Sequence, residues 1–199
     1  MTDPWEPVRR ALAGLRRHET RGLGRARAAV LVPLFERDGI EVLLIRRPET
    51  SRAHAGQVAC PGGKLEGEET AREAALRETR EELGIDPARV EVLGALHDVD
   101  TTTGYVITPW VGRLEPGVLD ALAPHPPEVA RVFTAPLEAL ADPARSQLEI
   151  RPWEVAGRPW DVPFFRWDGE VIWGATGRLL LDLLDLLYPE RKLRERRAP

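Results

Sequence analysis

Short apolar runs alternate with turn residues along most of the chain, and this pattern predicts a sheet. Asp38-Gly39 and Asp168-Gly169 each separate two such runs, and Asp-Gly pairs are typical of tight turns between strands. Seven stretches are predicted to be strands: AAVLVPLF (28–35), IEVLLIR (40–46), VEVLGAL (90–96), YVITPWVGRL (105–114), VARVF (129–133), VPFFRW (162–167) and EVIW (170–173).

Apolar residues at helical spacing predict a helix near each end of the chain. Asp3 followed by Pro4 indicates a helix start, and the residues that then recur on one side are Trp5, Val8, Leu12 and Leu15. The stretch 174–189 predicts a C-terminal helix that stops at Pro189, and PLEAL (136–140) predicts a brief one.

Strands interleaved with helices predict one α/β domain in which helices cover a mixed sheet. The domain is expected to span 1–199, with an N-terminal helix and linker at 1–25 and a solvated, frayed basic tail at 189–199. The segment 46–69 is rich in glycine and proline and is predicted to be one long loop. Loops of that length are uncommon in compact domains unless they serve a function.

The composition narrows the class of protein. The chain has 199 residues, and its formal charge of −4 argues against a nucleic-acid partner held by a global positive field. Cys60 is the single cysteine, which excludes an internal disulfide framework and a multi-cysteine metal site. No stretch has the unbroken apolar core of a signal peptide or a membrane span, so we expect a soluble cytoplasmic protein without a membrane partner.

A helix that carries three carboxylates is predicted in the middle of the chain. Thr70 with Glu73 forms a capping-box pattern, and a glycine follows the last helical residue. Glu78, Glu81 and Glu82 then fall within roughly 100° of the helix circumference. Their repulsion costs only about 0.2–0.5 kcal/mol per solvated pair. An acidic helix face that is exposed to solvent and binds no ion therefore remains an alternative interpretation. A hard divalent cation such as Mg²⁺ would turn the cluster into a site.

The region around this helix resembles the signature of the Nudix hydrolases, G-x5-E-x7-R-E-U-x-E-E-x-G-U, where U is a bulky aliphatic residue. Thr79 departs from the pattern at the first U. The positions that match are Gly63, Glu69, Arg77, Glu78, Glu81, Glu82, Gly84 and Ile85.

The resemblance implies an α/β/α sandwich with a mixed sheet and hydrolysis of a diphosphate linked to another group, with Mg²⁺ or Mn²⁺ as cofactor. The implied metal ligands are Glu78, Glu82, Glu81 and the carbonyl of Gly63. Arg77 is implied to orient a glutamate, and Glu69 to stabilise the junction of loop and helix. Two carboxylates are candidates for the general base, Glu78 and Glu128.

The segment 43–63 is also similar to the motif of coenzyme A diphosphatases in this family, L-L-T-x-R-[SA]-x3-R-x3-G-x3-F-P-G-G. Ile45, Pro48 and Cys60 replace the Thr, Ser/Ala and Phe of that motif. The similarity implies coenzyme A as a small-molecule substrate, hydrolysed to 4′-phosphopantetheine and adenosine 3′,5′-bisphosphate. The implied substrate-binding residues are Arg47, Arg52, Gly62 and Gly63.

Several alternatives stay open from the residues alone. Arg47 and Arg52 could grip phosphates through forked hydrogen bonds, or pair with acids of the protein. Trp153, Trp160, Trp167 and Trp173 could stack on adenine, although packing is the default for tryptophan. The substrate could be another nucleoside diphosphate derivative, such as a dinucleotide or nucleotide sugar, and a noncatalytic nucleotide-binding regulatory domain is the alternative from another class.

Overall fold

The computed structural model describes residues 3–20, 24–51, 54–155 and 158–195. In these ranges the helices are α1 (Glu6–Gly14), α2 (Ala71–Leu83), α3 (Leu137–Leu140), α4 (Pro143–Ser146) and α5 (Gly174–Leu187). The strands are β1 (Ala26–Glu36), β2 (Ile40–Arg46), β3 (Val58–Ala59), β4 (Gly62–Lys64), β5 (Val90–Ala95), β6 (Val99–Asp100), β7 (Tyr105–Leu114), β8 (Arg131–Pro136), β9 (Glu149–Val155), β10 (Arg158–Trp167) and β11 (Glu170–Ile172).

The larger sheet is mixed, as predicted. Its central order is β3-β2-β1-β7-β5, with β8 beside β2, β4 beside β1 and β6 beside β7. Only β1 and β7 pair in parallel among the described strands, and the other pairs of this sheet are antiparallel. β1 pairs with β2 at its C-terminal end and with β4 at its N-terminal end, so β4 lies within the sheet.

Alternate residues of the central strands point into two separate cores, one on each face of the sheet. Leu31 and Leu43 pack on the face covered by α2, while Val32 and Leu44 pack on the face covered by α1 and α5. Strands buried on both faces explain why the sequence shows continuous apolar runs there. This arrangement confirms the predicted α/β/α sandwich.

Two expectations about elements differ from the structure, and one strand was missed. The segment 46–69 is not one irregular loop, because β3 and β4 form within it and pair with β2 and β1. β9 was not predicted at all; it pairs with β10, and together with β11 they form a second, three-stranded sheet. The expected strand 129–133 is observed as β8, which begins two residues later and ends three residues later.

The described part of the basic tail is folded against the domain, not frayed. Leu193 is buried in the core with α5. Arg194 forms ion pairs with Asp182 and Asp185 of α5. Residues 196–199 lie outside the described ranges. The tail therefore behaves as part of the domain up to Glu195.

Across the described ranges, no helix combines the length and apolar character that a membrane crossing requires.

Candidate active site

The helix that carries the glutamates begins and ends at the predicted residues. The hydroxyl of Thr70 accepts a hydrogen bond from the backbone N–H of Glu73, and the Glu73 carboxylate accepts one from the N–H of Thr70 at 2.7 Å. Gly84 ends the helix in the left-handed conformation, with φ of 72°. These local signals fix where α2 starts and stops, and thereby which face of it meets the loop before it.

Glu82 is the most buried carboxylate of the cluster, with only 1% of its surface exposed. One oxygen accepts a hydrogen bond from the backbone N–H of Gly62 at 2.9 Å. The other lies 3.2 Å from a guanidinium nitrogen of Arg47. Burial raises the pKa of Glu82 to about 7, although Arg47 and the Gly62 N–H oppose the shift.

Glu78 lies directly against the backbone of β4. A Cβ atom added to Gly63 would stand 2.3 Å from Oε1 of Glu78, far inside any allowed contact. The same oxygen lies 3.1 Å from a nitrogen of Arg77. Burial raises the pKa of Glu78, and the charge of Arg77 partly offsets this. Only glycine at position 63 lets the carboxylate come so close to the chain.

Arg77 joins the helix to the preceding loop. Its guanidinium donates two hydrogen bonds to Glu69, at 3.0 and 2.9 Å, and one to the carbonyl of Lys64 at 3.1 Å. It also contacts Glu81 at 2.9 Å. Hydrogen bonds from Arg77 lower the pKa of Glu69, and those same bonds raise the pKa of Arg77. The contacts expected of Arg77 and Glu69 are therefore present.

Glu128 is brought towards the cluster by the segment that follows α2. The backbone N–H of His125 donates to the carbonyl of Glu82 at 2.9 Å, which fixes this segment at the end of the helix. The Glu128 side chain is 47% exposed, and its negative charge contributes to the raised pKa of both Glu78 and Glu82. The charge of Glu128 therefore acts on Glu82 and on Glu78, the other candidate base.

Arg47 and Arg52 were both predicted to bind phosphates, and the structure describes only Arg47. Arg47 pairs with a protein acid, Glu82, and donates to the carbonyl of Gly62 at 3.3 Å. Arg52 lies outside the described residues. The pairing of Arg47 could not be predicted from spacing, because it depends on how β2 and β4 bring residues 47 and 62 beside α2.

The glutamate cluster suits a hard divalent cation by its chemistry. Its oxygen donors are those that Mg²⁺ and Mn²⁺ prefer. The raised pKa values of Glu78 and Glu82 show that burial penalises their negative charge, which a bound cation would relieve. Within the described ranges, no three acidic, imidazole or thiol side chains are already gathered as ligands. Arg77 and Arg47 instead occupy oxygens of the cluster.

A cavity of about 1000 Å³ adjoins the cluster. Arg47, Gly62 and Gly63 belong both to its wall and to the glutamate site. Other parts of the wall come from β9, β10 and the first turns of α5. Trp153, Trp160 and Trp173 line it, whereas Trp167 donates its indole N–H to the carbonyl of Thr134 at 3.1 Å. The sequence did not distinguish these tryptophans, because β9 was not predicted.

The His97-Asp98 pair next to this cavity has a structural role. The Asp98 carboxylate is fully buried and contacts Arg17 at 2.6 Å, Thr108 at 2.9 Å and the backbone N–H of Thr20 at 3.0 Å. His97 accepts a hydrogen bond from the backbone of His18. Together they fasten the segment after α1 to β6 and β7.

Comparison with known proteins gives a consistent result. The sequence model of the NUDIX domain family matches residues 25–156 of this chain. The chain is 39% identical over 158 residues to "Uncharacterized Nudix hydrolase NudL" of Photorhabdus laumondii, covering 78% of this chain and 82% of that protein. It is 38% identical over 163 residues to the protein of the same name from an Enterobacter species, covering 81% and 82%.

A solved structure shares the fold at low sequence identity. The crystal structure of a MutT/nudix family protein from Enterococcus faecalis aligns with a TM-score of 0.52 and 16% identity, over 86% of this chain and 64% of that one. At this identity the likeness concerns the fold alone.

Proposed function

The chain belongs to the NUDIX domain family, whose members hydrolyse nucleoside diphosphate derivatives and generally use divalent metal ions, and from that premise we propose that coenzyme A is its substrate. The observation that carries the proposal is the similarity of the segment 43–63 to the coenzyme A diphosphatase motif, together with the contacts of its residues Arg47 and Gly62 with Glu82 of α2. The reaction would give 4′-phosphopantetheine and adenosine 3′,5′-bisphosphate.

The contacts of this segment support the proposal. Arg47 and the N–H of Gly62 both bind the carboxylate of Glu82, so the motif forms one wall of the glutamate site. Arg47 also lines the adjoining cavity, and in this proposal its guanidinium binds a phosphate of the substrate. Residues that define the substrate and residues that define the chemistry are therefore joined by direct hydrogen bonds.

Glu78, Glu82, Glu81 and the carbonyl of Gly63 would hold Mg²⁺ or Mn²⁺. When bound, such an ion neutralises diphosphate charge and lowers the pKa of a coordinated water. Arg77 keeps Glu78 and Glu81 in place from the side of the loop. The proton of the attacking water is accepted by Glu78 or Glu128, and separate Glu→Gln variants at the two positions distinguish them.

The test is hydrolysis by the purified protein in the presence of Mg²⁺ or Mn²⁺, with products identified by mass. We expect coenzyme A to be cleaved with a higher kcat/KM than NADH or ADP-ribose. Glu82→Gln is expected to lower kcat by about 100-fold or more, since it removes a charged ligand. Glu68→Gln is the matched control, because Glu68 is exposed in the loop before α2.

Two results would contradict the proposal. If the kcat/KM for ADP-ribose or NADH equals or exceeds that for coenzyme A, the substrate is another nucleoside diphosphate derivative. If Glu82→Gln hydrolyses coenzyme A at the rate of the wild type, the assignment of the metal ligands is wrong.

A further inference from the structure

Both oxygens of Glu82, the most buried glutamate of the site, are engaged within the protein. Oε2 accepts a hydrogen bond from the backbone N–H of Gly62 at 2.9 Å. Oε1 lies 3.2 Å from a guanidinium nitrogen of Arg47, and the same nitrogen donates to the carbonyl of Gly62 at 3.3 Å. One oxygen is therefore held by the backbone of the sheet, and the other by a side chain.

The backbone of Arg47 is fixed, whereas its guanidinium has room to turn. The N–H of Arg47 donates to the carbonyl of Gln57 at 3.0 Å, beside the pairing of β2 with β3. The side chain is 25% exposed and forms part of the wall of the cavity. It can therefore move from Glu82 towards the cavity without any change in the sheet.

Arg47 and a divalent cation compete for Oε1 of Glu82. In the metal-free protein Arg47 supplies the positive charge that a buried carboxylate requires. A cation bound through the same carboxylate would lie beside the guanidinium, and two positive charges in a partly desolvated site repel each other. Because only the guanidinium can turn away, the pair of Arg47 and Glu82 would open when the ion binds.

We propose that Arg47 takes the place of the metal ion at Glu82 in the metal-free protein, gives up Oε1 when Mg²⁺ or Mn²⁺ binds, and then binds the diphosphate of the substrate from the cavity wall. This inference rests on the proposed function, from which it takes the metal ligands and the substrate. It makes the binding of metal and substrate cooperative, because the ion frees the side chain that the diphosphate uses.

The first test is the Kd of Mn²⁺ without substrate, measured by electron paramagnetic resonance at about pH 8, where protons compete little for carboxylates. Arg47→Gln should lower this Kd by about fivefold or more, because the competing charge is gone. Arg47→Lys retains a positive charge beside Glu82 and should keep the Kd within about twofold of the wild-type value.

Arg46→Gln is the matched control for Arg47→Gln. It removes the same charge from the neighbouring residue, but Arg46 pairs with Glu49 and Glu170 and not with Glu82. The Mn²⁺ Kd and the KM for coenzyme A should both equal those of the wild type. In Arg47→Gln the KM for coenzyme A should instead rise by about fivefold or more, because a charged contact with the diphosphate is lost.

A measurement on the wild-type protein does not depend on how well a variant folds. The NMR signal of the Arg47 side-chain Nε–H should shift when Mg²⁺ is added without substrate, because the guanidinium leaves Glu82. The corresponding signal of Arg46 should stay in place. Circular dichroism and thermal unfolding establish that each variant is folded before its Mn²⁺ binding is compared.

The results that overturn the inference differ from those that overturn the proposed function. An Mn²⁺ Kd that is unchanged or higher in Arg47→Gln refutes the competition, and so does an Arg47 signal that does not move at saturating Mg²⁺. Tighter Mn²⁺ binding with an unchanged KM refutes the transfer of Arg47 to the diphosphate. If Glu82→Gln binds Mn²⁺ as the wild type does, the proposed metal ligands are wrong. If the wild type does not cleave coenzyme A, the proposed substrate is wrong, and the Mn²⁺ Kd values still decide the competition.

Discussion

Gly63 is the residue at which the backbone of β4 meets a glutamate of α2. Its added Cβ would overlap the carboxylate of Glu78, at 2.3 Å from Oε1, so the restriction is steric. Gly63→Ala should push Glu78 away and lower kcat/KM by about 100-fold, the size of effect that a misplacement of about 1 Å produces. Steady-state hydrolysis with Mg²⁺ measures the loss.

Gly14→Ala is the control for that variant, since nothing lies within 4 Å of its added Cβ. Its activity should equal that of the wild type. If Gly63→Ala retained activity within about threefold of the wild-type value, the close approach of Glu78 to β4 would have no part in the chemistry.

Glu82 should make the stability of the metal-free protein depend on pH. Burial raises its pKa from 4.5 to about 7 in the folded state. The folded protein then binds the proton more tightly than the unfolded chain, so the free energy of unfolding falls as pH rises from 4.5 to about 7. Glu82→Gln removes this contribution, worth up to roughly 3 kcal/mol.

Urea unfolding in the presence of a chelator, at intervals between pH 5 and 8, measures the effect. The variant should gain stability relative to the wild type as pH rises, with the difference complete above about pH 7. Glu78, whose pKa is also raised, remains in both proteins, and its charge is one cause of the raised pKa of Glu82, so the difference includes the coupling of the two groups. A difference that is constant over this range would mean that Glu82 ionises in the folded protein as it does in water.

The individual site residues were predictable to different degrees. The glutamates and Arg77 share one helix, so their spacing and the family signature were enough to group them. The partner of Arg47 was not predictable, because Arg47 and Glu82 are 35 positions apart and meet only through the pairing of β2 and β4 with their neighbours. Contacts between distant segments carry no local signal in one sequence.

At the scale of elements, α2 is specified by the residues at its two ends. The Thr70 hydroxyl accepts from the N–H of Glu73, and the reciprocal bond is also present. Thr70→Ala should lower the free energy of unfolding by about 0.5–2 kcal/mol, the usual cost of a lost N-cap. Urea denaturation checks this, with Arg72→Ala as the control because Arg72 is exposed in the same turn. An equal loss in both variants would show that the cap contributes nothing specific.

The same distinction between local and distant signals explains which strands could be predicted from the sequence. β1 and β2 are long apolar runs with a turn pair between them, so both were predicted, β2 with its observed bounds. β3 and β4 have two and three residues and exist only because longer strands provide partners. β9 contains Pro152, which weakened its strand pattern. It forms because β10 pairs with it along seven positions.

At the scale of the whole molecule, the last described segment closes the core on the side of α5. The sequence predicted a solvated tail, because the segment is rich in arginine and its single leucine, Leu193, is not part of an apolar stripe at helical spacing. In the structure Leu193 is fully buried with α5, and Arg194 pairs with Asp182 and Asp185. Asp182 also lines the cavity beside the glutamate site, so the tail supports a wall of that cavity.

Leu193→Ala should therefore destabilise the whole domain. Truncating a fully buried leucine costs about 2–5 kcal/mol, from lost burial and from the cavity left behind. Thermal and urea unfolding measure the loss, and Lys192→Ala is the control because Lys192 precedes it with an exposed side chain. A frayed tail would give the same small change for both variants. A large loss for Leu193→Ala alone would establish that the domain includes its basic C-terminal segment.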